Sequence, residues 1–499
     1  MQIATGAWRA WRRALRWALP MIVAALPVAA QSVTAYHGGV ERSGNFVMPG
    51  LGRDEARALR LVAGFAPRFA GKLYAQPLFW HPPGAVSGML LAASESNTVA
   101  AIDAASGSTL WTRTLGPPAP RSALPCGNID PLGITGTPVI DAARGAVYLD
   151  AVIDDASGIH HRLFALSLKD GALLAGWPID VAAGLRAQGQ AFADAVQNQR
   201  GALAILDNTL YVPFGGHFGD CGDYRGWVVG VPLDDPHRLF AWRTRGRGGG
   251  IWAPGGIAGD RERLYVATGN TVGAQHWSDG EAVFRLAPDL HHSERPEDFF
   301  AAPDWRALDT RDADLGGANP LPLDLPTGGG TQPLLLALGK DERGYLLDRR
   351  RLGGIGGSLL AERVATFPIR TAPAAYPGGD GVFVAFQGAG SGCPAGQRGL
   401  TALKIRAGTP PSMAPAWCAA LAGAGSAMVT TTDGSVNPVV WILGAEGDNR
   451  LHGFRGDTGE PLLSGPPLAG LRHFATPIAA DGRLYVGADG RLYAFAVAR

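Results

Sequence analysis

The sequence predicts an all-β fold: an eight-bladed β-propeller with four-stranded antiparallel blades, its ring closed by an N-terminal strand. Three observations carry that prediction. Abundant Gly (71) and Pro (37) punctuate short apolar runs such as Leu264-Tyr265-Val266 and Leu484-Tyr485-Val486, the composition of a turn-rich β protein. A small or polar residue followed by Pro opens a strand-like run at repeated intervals. A turn that ends in Trp follows in several of the resulting units.

The Pro dipeptides are Gln76-Pro77, Thr137-Pro138, Ala253-Pro254, Asn319-Pro320, Ala372-Pro373 and Thr476-Pro477, at spacings of 61, 116, 66, 53 and 104 residues. With a unit of roughly 50 to 65 residues, each long gap hides one degenerate copy, near 202–205 and near 429–431. The count is then eight. Proline cannot donate to a β ladder and belongs on an edge strand, and the innermost strand of a propeller blade is an edge facing the central channel.

Each unit continues through an apolar strand, as in Met89-Leu90-Leu91-Ala92-Ala93, to a turn such as Asp103-Ala104-Ala105-Ser106-Gly107 that ends at Trp111. Versions recur before Trp177 and Trp242 and around Asp457-Thr458-Gly459. These tryptophans read as architecture, wedges between neighbouring blades. The chain after Pro477 is long enough for three strands, so Leu59 to Phe65 is expected to supply the fourth strand of the last blade. A helical solenoid is excluded, because Gly and Pro leave no sustained helical period.

The first thirty residues place Arg9, Arg12, Arg13 and Arg16 before an uncharged apolar stretch, residues 17–30, that ends Val28-Ala29-Ala30. This is the pattern of a secretory signal peptide, and the stretch is shorter than the roughly 20 residues that span a bilayer. The expected organisation is a signal peptide over 1–30, an N-terminal extension over 31–57 and the propeller over 58–499. The mature protein is expected to be periplasmic or secreted, with no integral membrane segment after cleavage.

Lys plus Arg (44) nearly equals Asp plus Glu (43), with no long run of either sign, which gives a nucleic-acid partner no electrostatic footprint. Cys126, Cys221, Cys393 and Cys418 are an even set suited to two disulfides in an oxidising compartment. Cys393 and Cys418 flank one strand of one unit and are expected to pair. Cys126 and Cys221 then pair between polar connections of the second and third blades. No CxxCH is present, so haem c is not expected. His160-His161 and His291-His292 lie in polar surroundings without a third ligand and read as exposed.

The segment Ala101-Ile102-Asp103-Ala104-Ala105-Ser106-Gly107-Ser108-Thr109-Leu110-Trp111 resembles the repeat of pyrroloquinoline quinone (PQQ) enzymes, and copies run through residues 58–499. The resemblance implies the eight-bladed fold. Many relatives with this repeat are scaffolds, so activity is a separate question. The middle of the chain is more like the family's alcohol dehydrogenases. Gly248-Gly249-Gly250-Ile251-Trp252 resembles the segment whose Trp is the floor for the flat quinone, and Tyr265-Val266-Ala267-Thr268-Gly269-Asn270 the strand whose Asn oxygen binds Ca²⁺. The acidic stretch 309–317 stands where the family carries its catalytic Asp, with Asp312 and Asp314 both in register. Lys340, in Gly339-Lys340-Asp341, matches the cation that bonds the quinone oxygens.

Two departures weigh against a working dehydrogenase. No two cysteines are neighbours, whereas the family has a ring formed by adjacent cysteines. The segment 215–227 resembles the strand that gives Ca²⁺ a Glu, but Cys221 stands at that position, flanked by Asp220 and Asp223. A disulfide cysteine cannot replace a bidentate carboxylate, which leaves Asp220 beside Asn270 as the implied metal ligands. The function expected first is therefore an exported propeller that binds a small-molecule ligand or a protein partner at its channel mouth. The alternative is a PQQ- and Ca²⁺-dependent dehydrogenase of an alcohol or sugar.

Overall fold

The computed structural model describes residues 32–498, so the signal-peptide reading of 1–30 lies outside the described residues. The chain forms eight small sheets, one per blade. Their innermost strands follow the Pro dipeptides where these occur: Leu78–Trp80, Val139–Asp141, Ala258–Gly259, Leu321–Thr327, Ala374–Pro377 and Ile478–Ala480. The two degenerate copies are Ala204–Leu206 and Met428–Thr431. The strand Leu59–Leu61 pairs with Arg491–Val497 and completes the eighth blade, as expected.

The blades pack through the turn-and-Trp signature. Trp111 of the first blade donates its indole N–H to Leu168 O at 3.0 Å in the second, and its ring lies over Gly171, where a Cβ would come within 2.6 Å. Trp417 repeats the arrangement on Gly456 O (2.7 Å) and Gly459. Both glycines have positive φ, near +70°, so the turn needs glycine for its backbone as well as for the space. Burying these rings between sheets is the hydrophobic link from one blade to the next.

The expectation of four-stranded antiparallel blades holds for five sheets and needs correction in three. In the third blade the inner edge is shared by Gln197–Asn198 and Ala204–Leu206. The fourth gains Gly354–Ile355, and the seventh gains Asn45–Val47, each added in parallel. The last case places Asn45–Val47, within the N-terminal extension, in the sheet of the seventh blade.

Residues 33–48 thread the central channel and satisfy its exposed edges. Inner strands present unpaired N–H groups to the channel, and such groups need partners once buried. Val33 exchanges hydrogen bonds with Phe79 of the first blade, and Thr34 O accepts from Ile140 N of the second. Val40 O accepts from Gly259 N, Ser43 O from Ala375 N, and Gly44 O from Val429 N, which reaches the fourth, sixth and seventh blades. Arg42 is wholly buried and, among the described residues, forms no ion pair. Its guanidinium donates to four carbonyls, Ile257 (2.9 Å), Tyr36 (3.0 Å), Gly39 (3.2 Å) and Leu203 (2.7 Å), and burial lowers its pKa only to about 10, so it stays charged.

The four cysteines pair as Cys126–Cys221 and Cys393–Cys418. Among the described residues no helix is long and apolar enough to cross a membrane.

Candidate functional site

Inner strands start just after the Pro dipeptides, and second strands run back to finish at the same end of the channel. Topology therefore gathers Glu95, His217, Asn270 and Lys340, each at or just past the end of a second strand, with Gln76, Gln199, Asn319 and Thr371, each just before an inner strand. The threading segment meets the inner strands further along. This end has a protein floor, in which Tyr36 hydrogen-bonds Thr476 Oγ1 at 2.9 Å, and Trp252, Asn270 and Lys340 keep partial exposure there.

On one side of this end, Trp252, Asn270 and Lys340 converge on the carboxylate of Asp314. Asp314 Oδ2 accepts from Trp252 Nε1 at 3.0 Å and from Lys340 Nζ at 2.7 Å, while Oδ1 accepts from the backbone N–H of Asn270 at 2.9 Å. Lys340 Nζ also bonds Asp312 Oδ1 at 2.8 Å and sits 5.1 Å from the Trp252 ring centre. The two candidate acids are thus distinguished. The Asp314 side chain is 3% exposed, whereas that of Asp312 is 65% exposed, in the left-handed residue that ends the helix Trp305–Arg311.

The segment can approach so closely because its neighbours are glycines. A Cβ on Gly339 would lie 2.7 Å from Asp314 O, and one on Gly316 2.6 Å from the Thr268 carbonyl carbon. Asp309 fixes the turn after Asn270 by accepting from Thr271 N (2.7 Å) and Thr271 Oγ1 (2.6 Å).

Burial pushes the Asp314 pKa up, against the pull of Lys340. Burial alone would lower Lys340, but the charges and hydrogen bonds of Asp314 and Asp312 together hold the ammonium above its ordinary range. Behind them, Glu281 is fully buried, accepts from Leu315 N at 2.6 Å and leaves Oε1 without a partner. Burial and then the Asp314 charge push its pKa well above the ordinary carboxylate range. The sequence reading missed Glu281, because a single acid at a strand start carries no signal of burial.

Asp220, offered as a metal ligand, accepts from Tyr224 Oη at 2.5 Å, and Cys221 beside it is bonded to Cys126. The Tyr224 ring fills the space over Gly216, 2.8 Å from where a Cβ would be, and burial with the Asp220 charge holds its hydroxyl protonated. Among the described residues no three His, Cys, Asp or Glu side chains are grouped to hold a metal ion. An amide, an occupied carboxylate and a disulfide do not make a donor set for Ca²⁺.

The expectation that His160-His161 is exposed does not hold: His160 is half-buried, 3.0 Å from Asp180 Oδ2, and His161 is buried. In the strand Gly158–Ser167 successive side chains alternate, and His161 turns inward to full burial, with Nδ1 2.8 Å from Asp150 Oδ2 and Nε2 3.1 Å from Gln197 O. Burial would lower its pKa, but Asp150 and Asp194 raise it to about 9. A surface groove between the sixth and seventh blades is lined by residues such as Lys404 and Asp457 and by none of the four site residues.

No protein-family model and no curated protein matches the chain. Solved structures do. A quinohemoprotein alcohol dehydrogenase from Comamonas testosteroni superposes with a TM-score of 0.66 at 17% identity, covering 94% of this chain and 81% of that one. The quinohemoprotein alcohol dehydrogenase ADHIIG from Pseudomonas putida HK5 gives 0.65 at 15%, covering 94% and 80%, and a europium-containing methanol dehydrogenase 0.61 at 13%, covering 93% and 98%. At these identities the likeness shows the fold alone, an eight-bladed β-propeller.

Proposed function

We propose that the protein is an exported propeller that binds a small molecule in the open end of its channel, seated against Trp252 and facing Lys340 and Asp314. One observation carries this reading: Trp252, Asn270 and Lys340, from successive units, meet on the buried carboxylate of Asp314 at one end of the channel. A buried acid paired with a cation beside an aromatic face is a place where a polar ligand can exchange for Asp312, whose bond to Lys340 is exposed. The two disulfides support export.

The second reading is quinone-dependent oxidation of an alcohol or sugar. It is favoured by the match between this cluster and the residues the resemblance singles out, and by the fold shared with dehydrogenases. The donor set does not fit Ca²⁺, so no step is derived through that ion. Titration calorimetry with PQQ, with and without Ca²⁺, followed by alcohol-dependent dye reduction, separates the readings. Stoichiometric binding that Trp252→Ala weakens by about 1 to 3 kcal/mol supports the stacking floor. Dye reduction that Asp314→Asn abolishes would establish the dehydrogenase. No quinone binding at micromolar concentration ends it and leaves the binding protein.

A further inference from the structure

We infer that the open end of the channel carries a second recognition element, in which Arg200 binds the carboxylate of a small organic acid. Arg200 leaves the chain between Asn198 and the third blade's inner strand, yet its guanidinium carbon lies 5.1 Å from the Tyr74 ring centre and 5.0 Å from that of Phe474. Those residues precede the inner strands of the first and eighth blades, so the side chain reaches across the mouth. Among the described residues it is half-buried and makes neither a hydrogen bond nor an ion pair.

Other guanidinium groups seated this deeply are used. Arg42 bonds four carbonyls, Arg285 pairs with Asp298 at 2.7 Å, and Arg472, on the same Tyr74 ring, pairs with Asp489 at 2.5 Å. The acids near Arg200 do not take its place. Glu446 is held by His473 Nδ1 at 2.9 Å. Glu95 is buried, gives Oε2 to Gly133 N at 2.7 Å and keeps Oε1 without any partner. Burial moves its pKa up to about 7, so at neutral pH it supplies only part of a countercharge. The mouth thus presents one cation with all five N–H donors free, over two aromatic faces.

A guanidinium matches a carboxylate through two parallel N–H···O bonds, and the rings suit an apolar or aromatic body attached to it. One uncompensated positive charge matches one carboxylate. A dianionic phosphate would need a second free cation, and Lys340 and Arg472 are both already paired. The inference shares with the proposed function only the premise that the channel admits small molecules.

The test is titration of the full mature protein with benzoate, with benzamide as its uncharged isostere, and with inorganic phosphate, by ligand-observed NMR. Benzoate should bind, benzamide at least tenfold more weakly, and Arg200→Met should abolish the difference. Arg200→Lys should keep part of the benzoate affinity, which guards against a folding defect in the Met variant. Trp252→Ala should leave benzoate binding unchanged, so a failure of the Trp252 site is read separately. Equal binding of benzoate and benzamide, phosphate in preference to benzoate, no binding of any probe, or an indifferent Arg200→Met would each overturn the assignment.

Discussion

Two cations face the same channel mouth from opposite sides, and they are treated in opposite ways. Lys340, between the fourth and fifth blades, is closed in by Asp314 and Asp312 and lies against Trp252. Arg200 reaches the first and eighth blades and meets only aromatic faces. The paired side is built from segments that dock through glycines and is stable without a ligand. The open side has donors to spare, and desolvating a cation without a partner is costly unless water or a ligand supplies one. The difference is that the Lys340 side takes a ligand by releasing the exposed Asp312, whereas the Arg200 side has its donors already free.

The comparison breaks most severely where the paired side is opened. Asp314→Ala strands Lys340 and the N–H groups of Trp252 and Asn270 in buried surroundings and should cost about 3 to 5 kcal/mol in urea unfolding. A loss below about 1 kcal/mol would mean the cluster is solvated.

Glu95 sharpens the contrast through pH. Its folded-state pKa, raised from 4.5 to about 7 by burial, means the folded protein binds more protons than the unfolded chain inside that window. Its contribution to stability therefore falls as pH rises from about 4.5 to about 7 and is level above, a change of up to about 3 kcal/mol. Glu95→Gln should remove that fall. Were Glu95 ion-paired with Arg200, its pKa would be depressed and stability would rise with pH instead.

A smaller effect belongs to Gly269, where a Cβ would lie 3.1 Å from Asp314 Oδ1 and 3.2 Å from Trp252 Nε1. Gly269→Ala should cost about 1 to 3 kcal/mol by crowding, measured by thermal or urea unfolding, with benzoate binding at Arg200 retained. Smallest is Arg200→Met. With no hydrogen bond to lose, only contacts to two ring faces, it should change stability by no more than about 1 kcal/mol.

Much of this architecture was legible in the chain. The Pro dipeptides mark six inner strands because an edge strand tolerates a residue without an N–H, and the Trp turn marks the joints between blades. Leu59–Leu61 was legible as the closing strand by counting what the last unit lacks. Residues 33–48 were not, because they bind through backbone groups and leave no periodicity, and Arg42 satisfies its charge on carbonyls that any sequence could supply.

In the site, Trp252, Asn270, Asp314 and Lys340 were found by resemblance, and burial alone chose Asp314 over Asp312. Glu95 and Glu281 look in sequence like solvated turn acids, since nothing local reports that a neighbouring blade covers them. His161 could have been found, because strand alternation puts it opposite His160.

The measurement that tests the account most directly is a small-molecule fragment screen by ligand-observed NMR on the mature protein and on its Trp252→Ala/Arg200→Met double variant. The account predicts hits on the wild-type chain, enriched in aromatic carboxylates, most of which disappear in the folded double variant. A hit set that survives both substitutions unchanged would contradict a binding site at the open end of the channel.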